Sequence, residues 1–278
     1  MLKFILTIFA IGAVAYTIIC ALLWVGQRRL VFAPNPILTT TPADINLPHE
    51  DVWIPVNGGQ VHGWWLPGKD ADSALLYLHG NAGNISSNLT KAAAFQEIGL
   101  GVLIIDYRGY GLSSGPYPSE MELYTDAAAA WQYLVDDQGL VPEQIVIFGH
   151  SIGGAVAIDL ALAQPGAAGL IVEGTFTSMA AMARRSGYGW VPVNWLLHQR
   201  FDSLSKLPRL KVPVFFIHGL ADASVPAEMT QELYQAAPQP KRLWLVPGAD
   251  HNDVLPTAGM EYLNRVHQFL RDVAYTRR

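Results

Sequence analysis

Ile145-Val146-Ile147-Phe148-Gly149-His150-Ser151-Ile152-Gly153-Gly154-Ala155-Val156-Ala157-Ile158 is the stretch on which the fold turns. Its first four residues are apolar with no polar alternation, the pattern of a strand buried on both faces. Its last four are helix formers. Between them Gly149-His150-Ser151-Ile152-Gly153 makes a Gly-x-Ser-x-Gly turn in a strand-turn-helix setting, which holds a serine above the end of a sheet. The glycines leave room where a Cβ would strike the adjoining strand or helix. Ser151 then projects at a helix N-terminus, where free N–H groups and the helix dipole favour an oxyanion.

The same alternation extends in both directions. Apolar runs at Ala74–Leu78, Val102–Ile105, Leu170–Val172, Val214–Ile217 and Leu243–Val246 are separated by helical patterns at Leu89–Ile98, Glu120–Val135, Ala155–Ala163, Glu228–Ala236 and Glu261–Val273. Upstream, Asp51–Val56 and Gln60–Leu66 flank Asn57-Gly58-Gly59, a turn sequence suited to a hairpin. The expected fold is α/β: a mostly parallel, doubly wound sheet. Reactive groups in such sheets follow strand C-termini. The 278 residues, 51% apolar and 15% charged, suit one sizeable core. A net charge of -5 leaves no basic surface for a phosphate backbone, so no nucleic-acid partner is expected.

A serine hydroxyl needs a base to take its proton. With this kind of turn the acid and then the base lie downstream of the serine. Of eight histidines, His251 and His267 follow an acid candidate after the next strand. His251 sits in the loop behind Leu243–Val246, whereas His267 falls within a helical pattern, so His251 is the expected base. Asp222 follows Val214–Ile217 through His218-Gly219-Leu220-Ala221 and is the expected acid, with Glu173 its rival. Asp250 and Asp253 adjoin His251 and read as residues that shape its loop. The second oxyanion donor, besides the Ile152 N–H, is expected in His79-Gly80-Asn81-Ala82-Gly83-Asn84 after the strand Ala74–Leu78. The Asn81 N–H is the choice there and Ala82 the near alternative.

Phe4–Val25 carries no charge and is long enough to cross a hydrocarbon core of roughly 30 Å. The apolar part of a signal peptide is shorter, about 7 to 15 residues, and ends in small residues. This run ends in Leu-Leu-Trp-Val, and Ile19 precedes the single cysteine, Cys20, where a lipoprotein signal wants a small residue. Residues 1–27 therefore read as a single-pass membrane anchor. Lys3 on one side and Arg28 with Arg29 on the other leave its orientation undetermined. Pro34, Pro36, Pro42 and Pro48 mark 28–48 as a surface tether. The folded domain is expected over 49–278. Within it, about 176–210 is rich in apolar and aromatic residues and reads as a small helical cap. Its Trp190 and Trp195 are candidates for binding substrate.

Neither a cofactor nor a metal is expected. Gly109-Tyr110-Gly111 lacks the third glycine of a dinucleotide fingerprint, no Gly-Lys-Ser/Thr loop occurs, and no His-Glu-x-x-His spacing exists.

Together these residues resemble the α/β-hydrolase superfamily, and within it the membrane-anchored α/β-hydrolase-domain proteins and their bacterial relatives, a group that contains protein depalmitoylases. The resemblance rests on Gln27-Arg28-Arg29-Leu30-Val31-Phe32, His79-Gly80-Asn81-Ala82-Gly83-Asn84, Asp106-Tyr107-Arg108-Gly109-Tyr110-Gly111, Gly149-His150-Ser151-Ile152-Gly153 and His251-Asn252-Asp253. It implies a serine hydrolase acting on acyl esters or thioesters, carried by a lipid or an acylated protein. Amide or peptide cleavage by the same residues is the alternative, and an inactive membrane scaffold a third reading.

Overall fold

Strand-forming runs without polar alternation have to be covered on both sides, and the computed structural model of the chain, which describes residues 1–69 and 73–275, covers them. Eight strands form one sheet: β1 Glu50–Val56, β2 Gly59–Leu66, β3 Ala74–Leu78, β4 Gly101–Ile105, β5 Ile145–His150, β6 Gly169–Glu173, β7 Val214–Gly219 and β8 Lys241–Val246. Their spatial order is β1-β2-β4-β3-β5-β6-β7-β8. The β1–β2 and β2–β4 pairs are antiparallel and the remaining neighbours are parallel.

Alternate residues of each central strand enter opposite cores. Leu76, Leu78, Ile145 and Ile147 pack with α3 Glu120–Asp136, α4 Ile152–Ala163 and α8 Ala227–Ala236. Leu75, Tyr77, Val146 and Phe148 pack with α2 Leu89–Glu97, α9 Val254–Ala258 and α10 Met260–Tyr275. The doubly wound α/β sheet expected from the sequence is the fold observed. Residues 276–278 of the expected domain lie outside the described residues.

Residues 176–210 fold as three short helices, α5 Met179–Arg185, α6 Val193–Leu196 and α7 Ser203–Lys206, with single 3-10 turns at Tyr188–Trp190 and Leu207–Arg209. This is the helical cap. Ahead of everything runs α1, Leu2–Val31, whose apolar side chains are largely exposed and which is long and apolar enough to be a transmembrane or signal helix.

Two boundaries differ from expectation. The first helix continues four residues past Gln27, because Arg28 and Arg29 sit in its last turn, where cations complement the helix dipole. Nor is the proline-rich segment a free tether. Ala33–Pro34 pairs in parallel with Ala82–Gly83, the Ala33 N–H donates to Asn81 O at 3.0 Å, and Asn84 Nδ2 donates to the carbonyls of Asn35 and Ile37. Prolines rule out a helix or a central strand, but they leave this edge pairing open.

Candidate active site

The turn after β5 is built by steric exclusion. A Cβ on Gly149 would lie 2.2 Å from Gly153 O, and one on Gly153 would lie 2.1 Å from Leu78 O, both closer than atoms can approach. Between them Ser151 adopts φ 55°, ψ -121°, a region side-chain-bearing residues rarely enter. Such a conformation persists only where its surroundings over-determine it. Here the Ser151 N–H donates to Glu173 O at 2.9 Å, and its carbonyl accepts from Thr175 Oγ1 at 2.7 Å and from the Gly154 N–H at 2.9 Å. The result is a fixed hydroxyl at the start of α4.

That hydroxyl lies 3.0 Å from His251 Nε2, and His251 Nδ1 lies 2.7 Å from Asp222 Oδ2. An ionised carboxylate only accepts, so Nδ1 carries the ring proton and Nε2 is left to accept from Ser151. Asp222 Oδ1 takes the Ser224 and Val225 N–H groups at 2.8 and 2.7 Å. Burial pushes the Asp222 carboxyl up, but hydrogen bonds from His218, His251 and the Val225 backbone outweigh it and hold the group well below the usual carboxylate range. Asp222 is therefore an anion at neutral pH. The structure thus brings together the serine, histidine and aspartate singled out in the sequence.

The other candidates fall elsewhere. Glu173 lies in the buried core, ion-paired with Lys91 and accepting the Tyr262 hydroxyl at 2.6 Å. Asp250 Oδ1 accepts from the Ala223 and His251 backbone N–H groups, holding the loop in shape. His267 is exposed on α10. Ile152 opens α4, so its N–H has no intrahelical acceptor. Among the described residues the Asn81 N–H finds none either, while its side chain and carbonyl are both engaged, with Val31 O and with the Tyr110 hydroxyl. Asn81, Ala82, Ile152, Ser151 and His251 line one cavity of about 1160 Å³.

Trp190 and Trp195 require a correction: neither lines that cavity. In the single turn of α6, Val193, Leu196 and Leu197 point inward, which turns Trp195 out to 91% exposure. Trp190, 56% exposed, rests against Tyr16 of α1 with ring centroids 5.9 Å apart. The lining comes instead from Met179, Met182, Tyr188 and Val191 of the cap, together with Leu23, Gln27, Leu30 and Val31 of α1.

Two histidines near the site carry no sequence signal for their roles. His218 Nε2 lies 3.1 Å from Asp222 Oδ2, adding a second imidazole to the aspartate. His150 Nε2 lies 3.0 Å from His251 O and braces the loop that bears His251. Burial, then the Lys91 charge, bring the His150 ring down from 6.5 to about 4, so it is neutral and donates that bond. A folded-state value below the unfolded one means that the stability is present above about pH 6.5 and is lost as pH falls toward 4. The full loss is about 3 kcal/mol. Urea unfolding of micelle-solubilised protein across that range is expected to show this slope and His150→Gln to lack it. A variant with the wild-type slope would assign the effect to another group.

The chain is 31% identical over 283 residues to the Arabidopsis thaliana α/β hydrolase domain-containing protein WAV2, covering 93% of this chain and 92% of that one. It belongs to the α/β-hydrolase superfamily. A family model described as serine aminopeptidase, S33, matches residues 69–204. An uncharacterized protein of Mycobacterium tuberculosis is 35% identical over 272 residues, 97% of this chain and 96% of that protein. Among solved structures, the Pyrococcus furiosus esterase Pf2001 superposes with a TM-score of 0.72 at 23% identity, over 86% of this chain and 98% of the other. That similarity speaks to the fold of the hydrolase, the feature on which these proteins agree.

Proposed function

We propose that this hydrolase is a serine enzyme, held on a membrane by α1, that cleaves acyl esters or thioesters through an acyl-enzyme on Ser151. The observation that carries this reading is the relay from Ser151 Oγ to His251 Nε2 and from His251 Nδ1 to the Asp222 carboxylate. In the first step Ser151 Oγ bonds to the acyl carbon while its proton passes to His251 Nε2. The imidazolium so formed is stabilised by Asp222. The carbonyl oxygen, now an oxyanion, is held by the Ile152 and Asn81 N–H groups. Collapse expels the alkoxide or thiolate, which takes the proton from His251. Water, deprotonated by His251, then attacks the acyl-enzyme and frees the acid and Ser151. No cofactor or metal enters this scheme.

An uncleaved anchor, and not a removed leader, is favoured by the way the end of α1 is built into the fold. Gln27 is buried and bonded to the cap, and Arg28 Nε donates to Pro118 O at 2.7 Å. The proposed organisation is an anchor through Val31, a docked strap to Pro48 and the hydrolase domain beyond it. Membership of the depalmitoylase-like, membrane-anchored group fits this arrangement and the sequence resemblance.

Amide cleavage is the second reading, since the matched family model carries an aminopeptidase description. A fluorophosphonate is expected to label Ser151 in the full-length protein, and turnover of a matched acyl ester to exceed that of the corresponding amide. Absence of labelling would end the serine mechanism. Faster amide turnover would favour the second reading.

A further inference from the structure

Leu23, Gln27, Leu30 and Val31 fall at positions i, i+4, i+7 and i+8 of α1, so they share one face, and all four line the cavity that holds Ser151. From Val31 to Leu23 that face extends about 12 Å along the helix axis. Its far end crosses into the uncharged segment Phe4–Val25, while Arg28 and Arg29 mark the polar boundary. The cavity therefore begins at the nucleophile and continues to the hydrocarbon side of that boundary. Its volume of about 1160 Å³ exceeds the roughly 300–1,000 Å³ of ordinary small-ligand pockets.

The cap follows α1 in the same direction. Gln27 latches the two together: Oε1 accepts from the His198 and Gln199 N–H groups at 2.9 and 3.1 Å, and Nε2 donates to Leu196 O at 3.1 Å and Trp24 O at 3.0 Å. All its hydrogen-bonding capacity is met by protein. Farther along, Tyr16 donates its hydroxyl to Trp190 O at 3.3 Å. Tyr16 lies nine residues before Val25, about 14 Å deeper along the helix. Trp190 is thus set beside the apolar part of α1, and Trp195 faces outward from the same cap.

Resting on the reading of Ser151 as nucleophile and of α1 as anchor, we propose that α1 is one wall of the acyl site. A long acyl chain enters sideways from the leaflet, between α1 and the cap, so that its carbonyl reaches Ser151 while its tail still lies in hydrocarbon. The substrate class is a long-chain acyl ester or thioester already resident in the membrane. Its chain is recognised at the wall, whatever head group the acyl bond joins. Two features of α1 then have a use that anchoring alone does not give them: a polar residue that makes three of its four side-chain hydrogen bonds to the cap, and an apolar face turned to the nucleophile.

The test uses full-length protein in phosphatidylcholine vesicles with p-nitrophenyl butyrate and p-nitrophenyl hexadecanoate. Leu23→Trp fills the far end of the cavity, and each methylene displaced is worth about fourfold in binding. The hexadecanoate-to-butyrate ratio of kcat/KM is expected to fall by about tenfold or more. Val25→Trp, at an exposed position outside the cavity lining, is expected to keep the wild-type ratio. An unchanged ratio in Leu23→Trp, or a wild type that prefers butyrate, would overturn the wall. A wild type inert toward both esters would overturn the ester-hydrolase reading itself, and the wall with it. Independently of any variant, a hexadecyl fluorophosphonate with a diazirine at its chain end, once bound to Ser151, is expected to crosslink to α1 around Leu23. Crosslinks confined to α2 or to the core would overturn the proposal.

Discussion

Replacing Ser151 with alanine is expected to lower kcat for ester hydrolysis by about four to six orders of magnitude and to leave the fold in place. Among the described residues the hydroxyl has one hydrogen-bond partner, His251 Nε2. Its loss therefore strands no buried backbone group. Alanine at φ 55° is strained as serine is, and the backbone bonds that hold the turn, to Glu173 O and from Gly154 N–H, involve no side chain of residue 151. The measurement is turnover of a soluble short-chain ester alongside thermal unfolding and fluorophosphonate labelling. A folded variant with near wild-type turnover would remove Ser151 from the chemistry.

The second large effect belongs to Asp222→Asn, expected to lower kcat by roughly 10⁴-fold. Asparagine keeps an acceptor for the Ser224 and Val225 N–H groups, so the loop retains its shape. Its amide then presents N–H to His251 Nδ1, which becomes an acceptor. The ring proton moves to Nε2, the atom that has to take the serine proton, and the base is blocked by its own tautomer. His218 Nε2, which also faces Asp222 Oδ2, keeps its proton for Val225 O at 2.9 Å and loses the aspartate as a second acceptor. A stability measurement separates the tautomer from unfolding: the variant should unfold cooperatively and still bury its core. Activity within tenfold of wild type would mean that the imidazole is oriented by something other than Asp222.

Much of this site was legible before any coordinates. Strands buried on both faces have to be written as unbroken apolar runs, and a turn as tight as the one around Ser151 tolerates only glycine at Gly149 and Gly153. Asp222 and His251 stood out because they follow strand ends, where a doubly wound sheet concentrates its reactive groups. What escaped was non-local or too short to have a period. Trp190 and Trp195 lie in single turns, and a single turn carries too few residues to tell an inward face from an outward one. Gln27 looked like the polar end of an anchor because its partners, His198 and Gln199, are 171 and 172 residues away. In the sequence His218 reads only as part of the link from Val214–Ile217 to Asp222, and nothing in its neighbours announces that it faces the aspartate four residues on. Prolines excluded regular structure from 28–48 without revealing that Ala33 would lie against Asn81.

That last pairing bears on where such an enzyme can work. The segment leaving α1 is hydrogen-bonded to the loop that presents the Asn81 N–H, and Asn81 Nδ2 holds the last carbonyl of the helix, Val31 O. A cut between Gln27 and Arg28 would leave a fragment that keeps the Ala33–Asn81 pairing but has lost the Gln27 latch and the Leu23 part of the cavity wall. On the proposed reading of α1 as an anchor, the cavity around Ser151 is complete only while the domain stays joined to its membrane helix.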